Sequence, residues 1–453
     1  MSKILISPLG VGKLDRDSAK REYLEAKYRF NNKKSNEYKT PFVSAAIAQH
    51  LNIDKMILVG TSKSMWEEVY RYFAENSSYK LDEDYYYNLV EKIEESGVNN
   101  YYLKEKDLHK VDDAINSYLK ENTNSQIEAS KSKVITYGIN DEEIWSNFDL
   151  FMGLTEELED GDQVYLDITH SFRSIPLFMY LMMDFIQNLK SKQIELSGLY
   201  YGMLDIKREM DEDYAPVIDY KPLFEISKWI RGVYDFTNYG NGYLISELSN
   251  DKELADRINR VSDLFNINYI KELKTQIRKL NEQLQATDLK NLKVLNYIVP
   301  NLEEFLNRFE NIKSDWKFQL EISKWFHENN KYGNAYISLV ESILTYICEF
   351  YDLDFTEFND RMLAKVLVGS KEIRRKYSDL NKLMSLSNKF LKTNTIRRSV
   401  AHGSLSETAR VSKQDIENYV KYQNEIESLL NSFKLKEEIN NIHITELKDN
   451  YRY

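Results

Sequence analysis

Cysteine is nearly absent. Cys348 is the only one in 453 residues, which excludes an intrachain disulfide and a cysteine-based zinc site and makes a reducing cytoplasm the expected compartment. It sits in an apolar helical run, where a small buried hydrophobe is a plainer role than a nucleophile. Gly (15) and Pro (6) are also scarce, which argues against a sandwich of many short strands and for long helices. No run approaches about 18 consecutive apolar residues, so no membrane span is expected. The opening MSKILISPLG has the short apolar run of a first strand and lacks a cleavable signal pattern. Net charge is −11, which argues against a general nucleic-acid coat. No repeat is visible at a period of roughly 20–50 residues, so a solenoid is not favoured.

What remains is ordinary globular material, 42% hydrophobic and 29% charged, with tyrosine unusually common at 33 residues. The length calls for two or three domains. Charge is unevenly placed: Arg361 to Val400 holds 11 Lys/Arg against 2 Asp/Glu. A local basic window on an acidic body suits a selective polyanion site, although a solvated helix face would also account for it.

Over the first 220 residues, strand-like and helix-like stretches alternate. KILISPL (3–9), KMILVGT (55–61), KVITYGI (133–139), QVYLDIT (163–169) and IELSGLYYGML (194–204) read as strands. Residues 18–30, 64–75 and 174–190 carry helical patterns. The alternation predicts an α/β domain with a parallel sheet, whose ligand sits beyond the carboxyl ends of the strands. The polar breaks SPLGVGK, GTSKS and THSFR all follow strands and should converge on one edge. The acidic, Tyr-rich segment 76–130 reads as a helical insertion. Beyond Asp219 the periodicity is helical throughout, with 223–240 as a connecting helix ended by Gly240 and Gly242. The expected divisions are 1–220, a connecting helix over 221–245, and an all-α domain over 246–453.

Two stretches concentrate chemistry. In LDITHSFRSIP, Thr169, His170, Ser171 and Arg173 crowd a strand end just before Pro176, which suits the first turn of a helix. Backbone N–H groups and a helix N-terminus meet there, a setting for phosphate and base edges. Asp167, Thr169 and Ser171 would equally serve to cap the helix and satisfy the loop. No GxGxxG or Walker loop is present. Downstream, NTIRRSVAHGS spaces Arg397 and His402 as R-x4-H. By itself this is a weak pattern, as a solvated helix end also accounts for it. His50, His109, His327 and His443 lack metal-ligand spacing, and no carboxylate cluster suggests a metal-dependent nuclease.

LDITHSFRSIP resembles the DxTH-type motif of the CRISPR-associated CARF domains, Rossmann-like sensors of type III systems, with Ser171 where a glycine is usual. ILISPLGVGK, ILVGTSKSMW, LYYGML and APVIDYKPLFEISKW extend the resemblance in order over the first 240 residues. The R-x4-H motif in a helical C-terminal domain resembles the HEPN ribonucleases, with Arg398 where Asn, Asp or His commonly follows the arginine. The resemblance implies a Rossmann-like CARF domain followed by an all-α HEPN domain, and a cytoplasmic homodimer with no resident cofactor or metal. It implies a cyclic oligoadenylate activator, tetra-adenylate favoured and hexa-adenylate second, held by Gly10, Gly12, Thr61, Ser62, Thr169, His170, Ser171 and Arg173. It also implies metal-independent cleavage of single-stranded RNA in antiviral defence, with Arg397 and His402 catalytic and Arg398 gathering RNA. Five helical residues turn about 500°, leaving Arg397 and His402 roughly 140° apart. Arginine reach or a bend before Gly403 must close that gap. The alternatives are a nucleotide-sensing regulator that binds RNA or protein and cuts nothing, and a sensor domain that degrades its own ligand.

Overall fold

The computed structural model describes all residues except 12, 15–20, 23–24, 32, 99, 171–173, 190–191, 287–293, 402–412 and 451–453, with backbone alone at 13–14, 21–22, 208, 295, 401 and 448–450. Gly12, Ser171, Arg173 and His402, all expected site residues, therefore lie outside the described residues. The chain forms two compact units, Met1–Glu225 and Ile226–Tyr453.

Among its described residues the first unit has ten strands: β1 Lys3–Leu9, β2 Lys13–Leu14, β3 Arg21–Glu22, β4 Ala26–Phe30, β5 Glu37–Thr40, β6 Lys55–Thr61, β7 Lys131–Ile135, β8 Gln163–Asp167, β9 Glu195–Gly202 and β10 Tyr214–Asp219. Eight of them form one sheet in the order β5-β4-β10-β9-β8-β1-β6-β7, and β2 and β3 pair separately. From β7 through β6, β1 and β8 to β9 every pairing is parallel. β10 runs antiparallel to β9, β4 parallel to β10, and β5 antiparallel to β4. The central strands bury both faces: Ile4, Ile6, Ile57 and Val59 enter one core, Leu5, Leu9, Met56 and Leu58 the other. Burial on both sides is what continuous apolar strands such as KILISPL require. The parallel α/β sheet expected of the sequence is present.

One expectation is corrected. The stretch 18–30 is not a helix where it is described; it contains β3 and β4. Ala26, Tyr28 and Phe30 alternate inward, and β4 is held by β10 and β5. Over so short a run the i, i+4 pair Ala26 and Phe30 suits a helix as well, and strand partners from distant sequence settle it. Segment 76–130 carries the helices that were expected there. Its helices Glu83–Glu95 and His109–Asn122 bury Leu89, Ile93, Val111, Ile115, Tyr118 and Leu119 in the same core as Leu58 and Trp66. They are the β6-to-β7 crossover layer.

The second unit is helical throughout its described residues, around one core that includes Phe265, Leu306, Trp325, Leu339, Ile343, Cys348, Phe390 and Ile426. Burial pushes the Cys348 thiol up to about 12, as befits a packing residue. Among the described residues no helix is long and apolar enough to cross a membrane. Helix Lys221–Tyr239 ends at Gly240, whose N–H donates to Phe236 O at 2.8 Å with φ +67°. A Cβ there would lie 2.9 Å from the buried Phe265 side chain. Gly240→Ala is therefore expected to cost at least the roughly 1–2 kcal/mol of a left-handed non-glycine residue, read as a lowered midpoint in urea unfolding.

Candidate functional site

Among the parallel strands of the first unit, β6 and β7 lie on one side of β1, and the later β8 and β9 lie on the other. The crevice between the carboxyl ends of β1 and β8 is thus the switch point where such sheets bind ligands. Polar side chains bridge it. Ser7 Oγ on β1 donates to Asp167 Oδ2 on β8 at 2.6 Å, and Thr169 N donates to Asp167 Oδ1 at 2.8 Å. Gly202 N, at the end of β9, donates to Thr169 Oγ1 at 2.8 Å. Only glycine fits position 202, because a Cβ would meet Val43 at 2.8 Å. Asp167 is fully buried, and burial raises its pKa despite the hydrogen bonds from Ser7 and Thr169. Burial lowers the pKa of half-buried His170, opposed by the charges of Asp167 and Asp205.

The β6 exit is tied to the β1 exit. Ser64 Oγ donates to Leu9 O at 2.7 Å, and Met65 N donates to Gly10 O at 3.1 Å. Thr61 N donates to Ser64 Oγ at 2.9 Å, and Lys63 N donates to Thr61 Oγ1 at 3.3 Å. Of the expected ligand-binding residues, Gly10, Thr61 and Ser62 are brought together in this way. Thr169 and His170 follow the end of β8, the strand beside β1. Thr61 and Ser62 are buried; Thr61 spends its hydroxyl shaping the loop, and Ser62 Oγ meets no partner among the described residues. Sequence reasoning passed over Ser7, Ser64 and Gly202 as site builders. Their signal was polarity or glycine at the ends of apolar strands.

In the second unit, helices Tyr332–Phe350, Phe358–Gly369 and Asn381–Ala401 pack pairwise. Where they meet, a cavity of about 190 Å³ is lined by Glu341, Arg361, Lys365, Asn394 and Arg397 together with apolar side chains such as Phe358 and Phe390. Glu341 forms ion pairs with Arg361 and, at 3.4 Å, with Arg397 Nη2. Arg397 Nε is buried and has no hydrogen-bond partner among the described residues. Arg398 is exposed on the same helix. Burial and the charge of Arg397 depress the Arg361 pKa, and burial with the charges of Arg398, Arg397 and Arg361 depresses that of Lys365.

Glu341, Arg361 and Lys365 were not singled out from the sequence. Glu341 was legible as the lone acid in the apolar run SLVESILTYIC; Arg361 and Lys365 had only their membership of the basic window. That window is not one patch, as Lys389 pairs with Glu425 and Arg374 bonds Asn388. His327 stacks on Tyr419 with centroids 4.2 Å apart and His50 on Phe30 at 4.0 Å, both packing roles.

Residues 4–205 match the family model for the CARF domain of the CRISPR system endoribonuclease Csx1. Residues 225–315 match that for the second domain of CRISPR-associated protein MJ1674. The chain is 42% identical over 408 residues to CRISPR-associated protein MJ1674 of Methanocaldococcus jannaschii, which is 90% of this chain and 63% of that protein. It thus spans less than two thirds of that relative's length. Among solved structures, Enterococcus italicus Csm6 bound to cyclic hexa-2′-fluoro-hexa-dAMP aligns with a TM-score of 0.40 and 12% identity, over 99% of this chain and 98% of that one. A likeness that distant carries no argument about this chain.

Proposed function

We propose that this protein, whose residues 4–205 match the family model for the CARF domain of Csx1, senses a cyclic oligoadenylate and in response cuts single-stranded RNA without a metal, in CRISPR antiviral defence. The activator favoured is cyclic tetra-adenylate, with cyclic hexa-adenylate second, because a groove made of the same loops from two protomers suits an even, two-fold ring. Gly10, Gly12, Thr169, His170, Ser171 and Arg173 would face it, on loops shaped by Thr61 and Ser62. Activation requires only that the ring bind the active arrangement more tightly than the inactive one.

The observation that carries the ribonuclease reading is the cation-rich cavity around Arg397 in the helical unit. RNA supplies its own nucleophile. His402 takes the proton of a 2′-hydroxyl as the new 2′-O–P bond forms, and the P–O5′ bond breaks as the leaving oxygen gains a proton. Arg397 stabilises the charge that develops on the phosphate. One R-x4-H motif supplies one histidine and the reaction moves two protons, so the homodimer brings a second copy. The products are a 2′,3′-cyclic phosphate and a 5′-hydroxyl.

Full-length protein incubated with single-stranded RNA, chelator and a panel of cyclic adenylates tests this. Cleavage with those termini is expected with the tetra-adenylate ring and not with linear or mononucleotide adenylates. Tight ring binding with no cleavage under any condition would instead establish a sensing regulator that acts through binding.

A further inference from the structure

The cavity in the second unit holds more cations than the cleavage chemistry uses. Arg361 and Lys365 stand four apart on helix Phe358–Gly369 and line the same space as Arg397, one helical turn placing them on one face. Among the described residues Glu341 is the one carboxylate lining that space, so there three cations meet a single counter-charge. Among the described residues no carboxylate is ion-paired with Lys365. The cavity, at about 190 Å³, exceeds the ~30 Å³ share of a single water several-fold, so an oxyanion fits. Phe358, 60% exposed, and Met362 also line it, giving an apolar surface on which a nucleobase or ribose can lie.

We propose that Arg361 and Lys365 form a second phosphate-binding subsite beside Arg397, which holds a phosphodiester of the strand next to the one that is cut. The ligand's identity as an RNA strand rests on the ribonuclease reading above; the anion site itself rests on the cation cluster. Glu341 is the internal counter-ion that keeps Arg361 and Arg397 ordered when the site is empty. Arg361 suits a forked contact to phosphate oxygens, and Lys365 a point charge behind it. Arg397 thereby remains free for the scissile phosphate.

The test uses the full-length protein and a single-stranded 2′-O-methyl RNA, which keeps its phosphates but cannot be cut because its 2′-oxygens are blocked. Affinity is measured by fluorescence anisotropy over a salt series. Lys365→Ala is expected to weaken binding and to reduce the log–log salt slope by about 0.7, the value for one phosphate contact on a single strand. Arg361→Ala should do the same. Lys371→Ala changes an exposed lysine of the same basic window outside the cavity, and should leave the slope unchanged. Lys365→Arg should restore it. Should Arg361→Ala prove unfolded through loss of its Glu341 pair, the Lys365 variants decide alone. A parental slope for folded Lys365→Ala would overturn the subsite, whether or not the protein cuts RNA. A reduced slope in a protein that never cuts RNA would uphold the subsite and reject the ribonuclease reading.

Discussion

His402→Ala is expected to slow RNA cleavage by about 10²–10⁴-fold, the usual worth of a positioned proton-transfer group, and to leave cyclic-adenylate affinity unchanged. The two proposed functions are assigned to separate units, Met1–Glu225 and Ile226–Tyr453, so losing one should not disturb the other. Arg397→Ala should cost about 10²–10³-fold, as for a single stabiliser of transition-state charge. Arg397 differs from His402 in having a structural tie, its 3.4 Å pair with Glu341. Its removal also leaves Glu341 with Arg361 as sole ion-pair partner among the described residues. Arg397→Lys therefore separates the roles, since it keeps a charge for Glu341 but loses the fork that fits a phosphate. Arg398 is exposed, and a loss on Arg398→Ala should shrink at saturating RNA and low salt. Single-turnover rates on folded variants check all of these. A folded His402→Ala protein that cuts at the parental rate would reject the mechanism.

The second large effect is expected at Asp167. This buried carboxylate accepts from Ser7 Oγ and Thr169 N and joins β1 to the loop after β8. Asp167→Ala orphans both donors, at roughly 1–3 kcal/mol each, and should lower stability and ring binding together. Asp167→Asn keeps the shape and an acceptor. Burial raises the Asp167 pKa, so its folded value lies above its unfolded one. The stability it contributes is then fully present below the ordinary carboxylate range and is lost as pH rises through the raised value. Asp167→Asn removes that dependence, so its stability relative to the parent should improve with rising pH. Urea unfolding across the acid-to-neutral range measures this, and a parent whose relative stability instead improves with pH would contradict it.

The first unit was legible because its message is local. Apolar runs such as KILISPL and KMILVGT are long enough to declare buried parallel strands, and the polar residues that close them mark the ligand edge. DITH was readable as a strand end turning toward a helix, and its Asp167 and Thr169 stand at the switch point that strand order creates. Short strands were not legible. Ala26–Phe30 spans only five residues, too few for its alternation to decide, and it is a strand because β10 lies alongside it from far down the chain.

In the helical half, the spacing of Arg397 and His402 and the excess of positive charge could be read directly from the sequence. Which basic residues act together could not. Arg361, Lys365 and Arg397 come from two helices and Glu341 from a third, while Lys389 of the same window faces Glu425 instead. Periodicity reports the face of one helix at a time. The shared cavity, the three cations that line it and the Glu341 carboxylate that holds two arginines are products of three helices packing together, and only the tertiary structure decides them.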